Sequence, residues 1–174
     1  FTGTVQFNRI AENTTGIEAT SGLKIFNNLI YRNTLQGIHT GGVSDVRILH
    51  NTLYAPTGDN IRIENRAGQT TGSSNVEVRS NILWADAGYD IYVANNSQSG
   101  FFSDYNTLWS TGDGKLVYWT KDFRDILDWQ TDVARFDLHS MGRTIIDPAW
   151  AAARDAAVDT AWAEPAFLNM TLDD

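Results

Sequence analysis

The chain has no cysteine. Disulfides and thiolate metal sites are thereby excluded, and the redox compartment is left open. An excess of positive charge is also missing: 13 Lys and Arg stand against 21 Asp and Glu, giving a formal net charge of -8 and a pI near 4.7. Nucleic acid and anionic membranes require a basic face, so neither is expected as a general partner, and any polyanion would need a local basic patch. No uninterrupted apolar run is long enough to span a bilayer, and no signal peptide is seen. The 174 residues suffice for one domain and are too few for a typical multidomain enzyme.

What is present is a repeat. Five segments, TGTVQFNRI, LKIFNNLIY, VRILHNTLY, VEVRSNILW and FFSDYNTLW, share one register around Asn8, Asn28, Asn51, Asn81 and Asn106. Apolar residues stand three before and two after the Asn: Val5 and Ile10, Ile25 and Ile30, Ile48 and Leu53, Val78 and Leu83. In the last copy Ser103 breaks the first column and Leu108 keeps the second. Two short strands therefore flank each Asn. A third apolar patch follows about ten residues on, at Ile17, Ile38, Ile61, Ile91 and Leu116.

Units of this size with three short strands cannot bury their own apolar face, but stacking them buries a continuous core. The spacing between successive Asn varies, so each unit has a fixed half and a half that absorbs insertions. Coils of a β-solenoid behave this way. Asn suits the corner because it tolerates left-handed backbone and its amide can bond to the amides above and below.

The two ends differ. No covering segment precedes Thr4, so the first coil is expected either to continue a longer solenoid whose N-terminal coils are missing here or to self-associate with another subunit. At the other end TKDFRDILDWQT, from Thr120 to Thr131, places Phe123, Ile126 and Leu127 on one helical stripe with Asp122 as N-cap, a helix that should plug the last coil. Asp147 and Pro148 then open an alanine-rich stretch to about Val158, read as a terminal helix. The expected organisation is a coil region over 1–119 and a capping helix and tail over 120–174, in one domain.

This arrangement, together with DYNTLW, the helix ending in Trp129, FDLHS and DPAW, resembles the C-terminal part of right-handed parallel β-helix proteins of the pectate-lyase-like superfamily, over residues 4 to about 150. The resemblance implies an all-β parallel β-helix of about five coils with a C-terminal capping helix. Its functional range is wide, from uronan lyases, epimerases and glycoside hydrolases to phage tailspikes and proteins without catalysis. With the cysteine-free composition it sets the expectation of a bacterial protein that is secreted or on the cell surface.

Alternation along the third strand turns the neighbour of each core Ile outward. That outward column reads Glu18, His39, Arg62, Tyr92 and Val117, and a second column two residues on reads Thr20, Gly41, Glu64, Ala94 and Trp119. Such a row fits an acidic polysaccharide. β-Elimination of a uronan needs a group to neutralise the sugar carboxylate, a base at carbon five and a proton donor to the leaving oxygen. Arg62 suits the first role, His39 the second and Tyr92 the third. Glu18 would orient His39 or help to hold calcium, with Glu64 and Trp119 as further substrate contacts. The resemblance implies a His, Lys or Arg and a carboxylate-neutralising Arg on this sheet.

The competing reading is a non-catalytic glycan-binding or structural module. Outward strand positions are commonly polar, and unlike charges on adjacent strands pair for a few tenths of a kcal/mol. Asp59, Asp86, Asp90 and Asp104 near coil corners are candidates for a hydrolase pair or calcium oxygens. Asp90, beside Tyr92, is the best of them. Trp84, Trp109 and Trp119 are candidates for stacking on sugar, whereas Trp129 and Trp150 are expected to pack the closure. His50 is expected to line a turn and His139 to make structural hydrogen bonds; no two His have metal-ligand spacing.

Overall fold

The computed structural model of the chain describes residues 3–145. The expected terminal helix from Asp147 to Val158 and the packing role of Trp150 lie outside these residues. The first coil holds β1 (Thr4–Gln6), β2 (Arg9–Ala11) and β3 (Thr15–Glu18), and the second β4 (Lys24–Phe26), β5 (Leu29–Tyr31) and β6 (Gln36–Gly41). The third holds β7 (Arg47–Leu49), β8 (Thr52–Ala55) and β9 (Asp59–Glu64), and the fourth β10 (Glu77–Arg79), β11 (Ile82–Ala85) and β12 (Tyr89–Val93). The fifth holds β13 (Phe102–Asp104), β14 (Thr107–Ser110) and β15 (Lys115–Trp119). Then come β16 (Lys121–Phe123), α1 (Ile126–Val133) and β17 (Met141–Gly142).

Every third strand pairs in parallel, which makes three sheets. Sheet A is β1-β4-β7-β10-β13, sheet B runs from β2 through β5, β8, β11 and β14 to β17, and sheet C runs from β3 through β6, β9, β12 and β15 to β16. Among the described residues only β16 is antiparallel, folding back along β15. The structure is therefore the all-β parallel β-helix expected from the repeat. The long insertion before Asn81 is carried by the turn from sheet C to sheet A, between β9 and β10.

Because stacked coils rise by about 4.8 Å, equivalent side chains lie on top of one another. Ile25, Ile48 and Val78 form the inner row of sheet A, and Ile30, Leu53, Leu83 and Leu108 that of sheet B. Ile38, Ile61, Ile91 and Val117 form that of sheet C. Burying each such chain is worth about 1.5–3 kcal/mol, an amount that no single coil could collect alone. Val5 and Ile10 of the first coil are only partly buried.

The Asn register is a hydrogen-bonded ladder. Asn8 Nδ2 donates to Asn28 Oδ1 at 3.1 Å, Asn28 to Asn51 at 3.0 Å, Asn51 to Asn81 at 3.1 Å and Asn81 to Asn106 at 3.2 Å. Each Oδ1 also accepts the backbone N–H of the Asn one coil earlier. The left-handed residue is not the Asn, as the sequence suggested, but the one before it: Phe7, Asn27, His50, Ser80 and Tyr105 have φ between 54° and 59°. The reversal there aims the following amide inward. Ser103, which broke the apolar column, faces this ladder, and its Oγ accepts from Asn106 Nδ2 at 3.0 Å.

The closing helix differs from the expected one in its start. Residues 121–123 are strand β16, and α1 begins at Ile126, capped by the Asp125 carboxyl accepting from Leu127 N at 2.7 Å; Asp122 lies in the strand. Phe123 and Ile126 are buried as predicted, but Leu127 faces solvent. Trp129 is fully buried and packs against Phe123, Phe136 and Trp119. Its Nε1 donates to Asp137 Oδ2 at 2.9 Å, while Asp137 Oδ1 accepts from Asn106 Nδ2 at 3.0 Å. One buried carboxyl thus joins the ladder to the cap.

Asp90 is fully buried on sheet C, where Asn60 Nδ2 donates to its Oδ1 at 2.9 Å and Oδ2 has no partner among the described residues. Burial, only partly offset by hydrogen bonds from Asn60 and the Trp109 backbone, pushes its carboxyl well above the usual carboxylate range. The sign follows. An acid whose folded-state value is raised binds a proton more tightly when folded, so its stability contribution is complete below about pH 4 and falls as pH rises toward the folded value. Wild-type stability should fall by up to about 1.4 kcal/mol per pH unit over that window, and Asp90→Asn should remove this slope. Urea unfolding from pH 4 to 8 on both proteins checks it; equal slopes would refute it.

Candidate functional site

Sheet C carries the predicted outward row. β3, β6 and β9 set Glu18 beside His39 and His39 beside Arg62, and β12 adds Tyr92. The fifth coil departs by one residue from the expected register: Val117 pairs with Ile91 and faces the core, and Tyr118 takes the outward place beside Tyr92. Trp119 pairs with Val93, not with the Glu64 column. Its ring packs against Phe101, Phe136 and Trp129, so it belongs to the closure and does not present a substrate-binding face on the row.

The row is a chain of paired charges. His39 Nδ1 lies 2.8–2.9 Å from both Glu18 oxygens, and its Nε2 lies buried 3.3 Å from Glu64 Oε1, out of line for a hydrogen bond. Glu64 turns its other oxygen to Arg62 Nε at 2.9 Å, and Arg62 Nη1 donates to Asp59 Oδ2 at 2.7 Å. The guanidinium lies 4.0 Å from the centre of the Tyr92 ring, whose opposite neighbour is Tyr118, stacked at 4.6 Å. Tyr89 meets both rings edge-on and donates to Asp122 Oδ1 at 2.7 Å. Gly41 makes room for this arrangement, because a Cβ there would come within 2.9 Å of His39 Cε1.

Electrostatics fix the protonation of two members. Burial works against the Arg62 charge, but the hydrogen bonds to Glu64 and Asp59 outweigh it and raise its pKa further. Burial also raises the Tyr92 phenol above its ordinary value, the nearby Arg62 offsetting only part of this. The Tyr92 shift and the pairing of Arg62 with two carboxylates both run against the assigned chemistry. A proton donor or base near neutrality needs a pKa brought toward 7, and a carboxylate clamp needs a guanidinium not already held by two carboxylates.

The other candidates are also engaged or hidden. Asp90 faces the core, Asp59 holds Arg62, and Asp86 accepts from Tyr54 Oη at 2.6 Å and from Thr111. Asp104 accepts from His139, whose ring stacks on Tyr105, so His139 has the structural role expected of it. Among the described residues no three His, Asp or Glu side chains converge where a metal ion could sit, and Glu18, the residue considered for calcium, is paired with His39.

Sheet B presents a different surface. Tyr31, Tyr54, Trp84 and Trp109 occupy one outward position on consecutive coils. Trp84 and Trp109 are each 45% exposed, as are neighbouring Leu29 at 44% and Ile82 at 54%. Three of the four polar tips are held by the protein: Tyr54 by Asp86, Trp84 Nε1 by Thr111 Oγ1 at 3.0 Å, and Tyr31 Oη by Arg9. The sequence had marked the two Trp. Tyr31 and Tyr54 were overlooked, although they stand three residues after Asn28 and Asn51, as Trp84 and Trp109 do after Asn81 and Asn106.

A family model described as "Right handed beta helix region" matches residues 2–126. Comparison with curated proteins gives no match, and comparison with solved structures gives none. The stacked parallel coils and the match over most of its length agree: the chain belongs to the right-handed β-helix family.

Proposed function

We propose that this chain is a non-catalytic β-helix module that binds a glycan along the aromatic row of sheet B. The observation that carries this reading is the saturation of the row on sheet C. His39 Nδ1 is held by Glu18 while its Nε2 is buried against Glu64, and Arg62 is held by Glu64, Asp59 and Tyr92, which leaves neither an exposed base nor an unpaired clamp there. A uronan lyase or epimerase acting on an acidic polysaccharide would have to trade those partners for substrate, leaving Glu64 and Asp59 without the guanidinium that now pairs them. The row serves instead to tie adjacent coils together.

Glycan binding is supported by the exposed rings of sheet B. Two half-exposed Trp and two Tyr on successive coils, with the polar tips of Tyr31, Tyr54 and Trp84 already bonded, offer apolar faces at a regular spacing along the stack. A location outside the cell is consistent with such a ligand and forms part of the proposal.

Absorbance at about 235 nm follows the unsaturated product left by proton abstraction at carbon five of a uronan. With alginate, polygalacturonate or chondroitin sulfate, with and without calcium, no rise is expected. Affinity electrophoresis in gels containing polysaccharide should nevertheless retard the protein. A rise on any substrate overturns the non-catalytic reading, and its loss in His39→Ala would return the sheet C row to catalysis.

A further inference from the structure

We propose that the ligand of sheet B is an anionic glycan, whose carboxylate or sulfate groups are seated at the Arg9–Arg32 end of the aromatic row. This rests on the glycan-binding reading above and adds a site, a charge and an orientation to it.

The first observation is the state of the cations. Arg62, Arg47, Lys115 and Lys121 each lie against a carboxylate: Asp59 and Glu64, Glu77, Asp122 and Asp132 respectively. Arg9 and Arg32, like Lys24, Arg66, Arg79, Arg124, Arg135 and Arg143, have no carboxylate within ion-pair distance among the described residues, but they alone of these border one depression beside the aromatic row. Arg9 instead donates from Nε to Tyr31 Oη, with its guanidinium 5.2 Å from the Tyr31 ring centre. A guanidinium whose other N–H groups remain open is suited to paired hydrogen bonds with a carboxylate or sulfate.

The second observation is their position. Arg9, Glu12, Leu29, Tyr31, Arg32 and Tyr54 line one surface depression, so both guanidinium groups border the lower end of the aromatic row. Glu12 leaves the depression with one net positive charge. On a chain with a formal charge of -8 a polyanion is repelled in general and needs a local excess of this kind. At the other end of the row Asp86 accepts from Thr111 and Tyr54, so a carboxylate rather than a cation borders Trp84. The row is therefore positive at the first two coils and acidic at the fourth, while beyond Trp109 the Arg143 guanidinium is turned onto Ser110 O and Oγ.

A glycan lying along the stack would place rings over Trp109, Trp84, Tyr54 and Tyr31, with its acid groups concentrated at the Arg end. Tyr54 and Trp84 meet edge to face, with ring centres 5.8 Å apart at 69°, so successive sugars would meet differently oriented faces and not one flat platform. Such a surface favours a chain that turns between residues. The site also lies on a different sheet from the His39 row, and the two can be tested separately.

The test is affinity electrophoresis of the full chain in gels containing polygalacturonate, dextran sulfate or neutral dextran, at low and at physiological salt. Wild type should be retarded by at least one charged polymer more than by dextran, and which polymer acts distinguishes carboxylate from sulfate. The double variant Arg9→Gln, Arg32→Gln should lower the charged-over-neutral preference about fivefold to tenfold at low salt. Both positions are at the surface, and matching thermal melts will show that the variant is folded. Equal retardation by charged and neutral polymers, or an unchanged preference in the double variant, overturns the anionic assignment while leaving glycan binding in place. Failure of the underlying reading has a separate signature: no retardation by any polymer, or retardation unaffected by Trp84→Ala with Trp109→Ala. Light scattering completes the set, because a dimer that dissociates in the Trp double variant would make this face a protein interface and overturn the glycan assignment.

Discussion

Asn51→Ala lowers the stability of the chain by about 3–5 kcal/mol, and Asn81→Ala, which removes the same set of bonds, should match it. Asn51 is buried at the middle of the ladder. Its Nδ2 donates to Ile25 O, Leu49 O and Asn81 Oδ1, and its Oδ1 accepts from Asn28 N and Asn28 Nδ2. Alanine removes all of these at once. The Asn28 N–H is left without that acceptor at a buried site, and an orphaned buried group costs about 1–3 kcal/mol beyond the bond itself. Asn8, at the exposed first rung, supplies the control, and Asn8→Ala should cost about 1 kcal/mol. Chemical denaturation followed by circular dichroism compares the two. Equal losses would mean that the ladder is decoration and that the apolar rows alone hold the coils.

Trp129→Ala should cost about 3–5 kcal/mol as well, by a different route. The indole fills the end of the stack against Phe123, Trp119 and Phe136, and its N–H is one of the bonds that fix Asp137. Truncation opens a cavity over the last coil and loosens the residue on which Asn106 rests. Trp129→Phe separates the two effects. It keeps most of the ring, removes the bond to Asp137 and should cost about 1–2 kcal/mol. Denaturation midpoints of the two variants test this order, and a Phe variant as damaged as the Ala variant would assign the closure to the hydrogen bond and not to packing. Since repeat stacks can unfold unit by unit, fraying from the fifth coil is the form the loss should take.

The repeat made most of the fold legible because one residue type was fixed by one geometry. Asn at the corner needs donors and acceptors above and below, so it recurs in every coil, and the Ile rows follow it in step. The fifth coil misled for a physical reason. At the start of the sheet C strands two consecutive residues face inward, as in Asn60–Ile61, Asp90–Ile91 and Leu116–Val117, all of them buried. Strict alternation fails there. In KLVYW both Leu116 and Val117 qualify as the core residue, so the sequence pointed Trp119 outward when it packs inward. The helix start was misplaced because Asp122 and Asp125 are equally good caps in isolation, and the choice between them depends on β16 pairing with β15.

At the site, alternation placed Glu18, His39, Arg62 and Tyr92 in one row but could not reveal that Arg62 is already held by two carboxylates. Asp59 supplies the missing piece. It precedes Arg62 by three residues, where strict alternation gives no reason to expect contact, and the two consecutive inward residues Asn60 and Ile61 between them allow the two to meet. Tyr118 was hidden by the same slip that misplaced Val117. The aromatic row of sheet B was readable as a fixed offset from the Asn, but two of its members are Tyr and two are Trp, so it does not stand out in a search for identical residues.

The amide ladder has a direction. Every rung passes its side-chain hydrogen toward the C-terminal neighbour, from Asn8 to Asn106, so the stack is a one-way street for hydrogen-bond donors. Its far terminus must be a group that only receives, and a carboxyl at Asp137 meets that demand better than a sixth amide would. The near terminus, at Asn8, offers an oxygen. Any coil stacked before Asn8 would extend the ladder in the same sense, by donating its own side-chain amide to that oxygen.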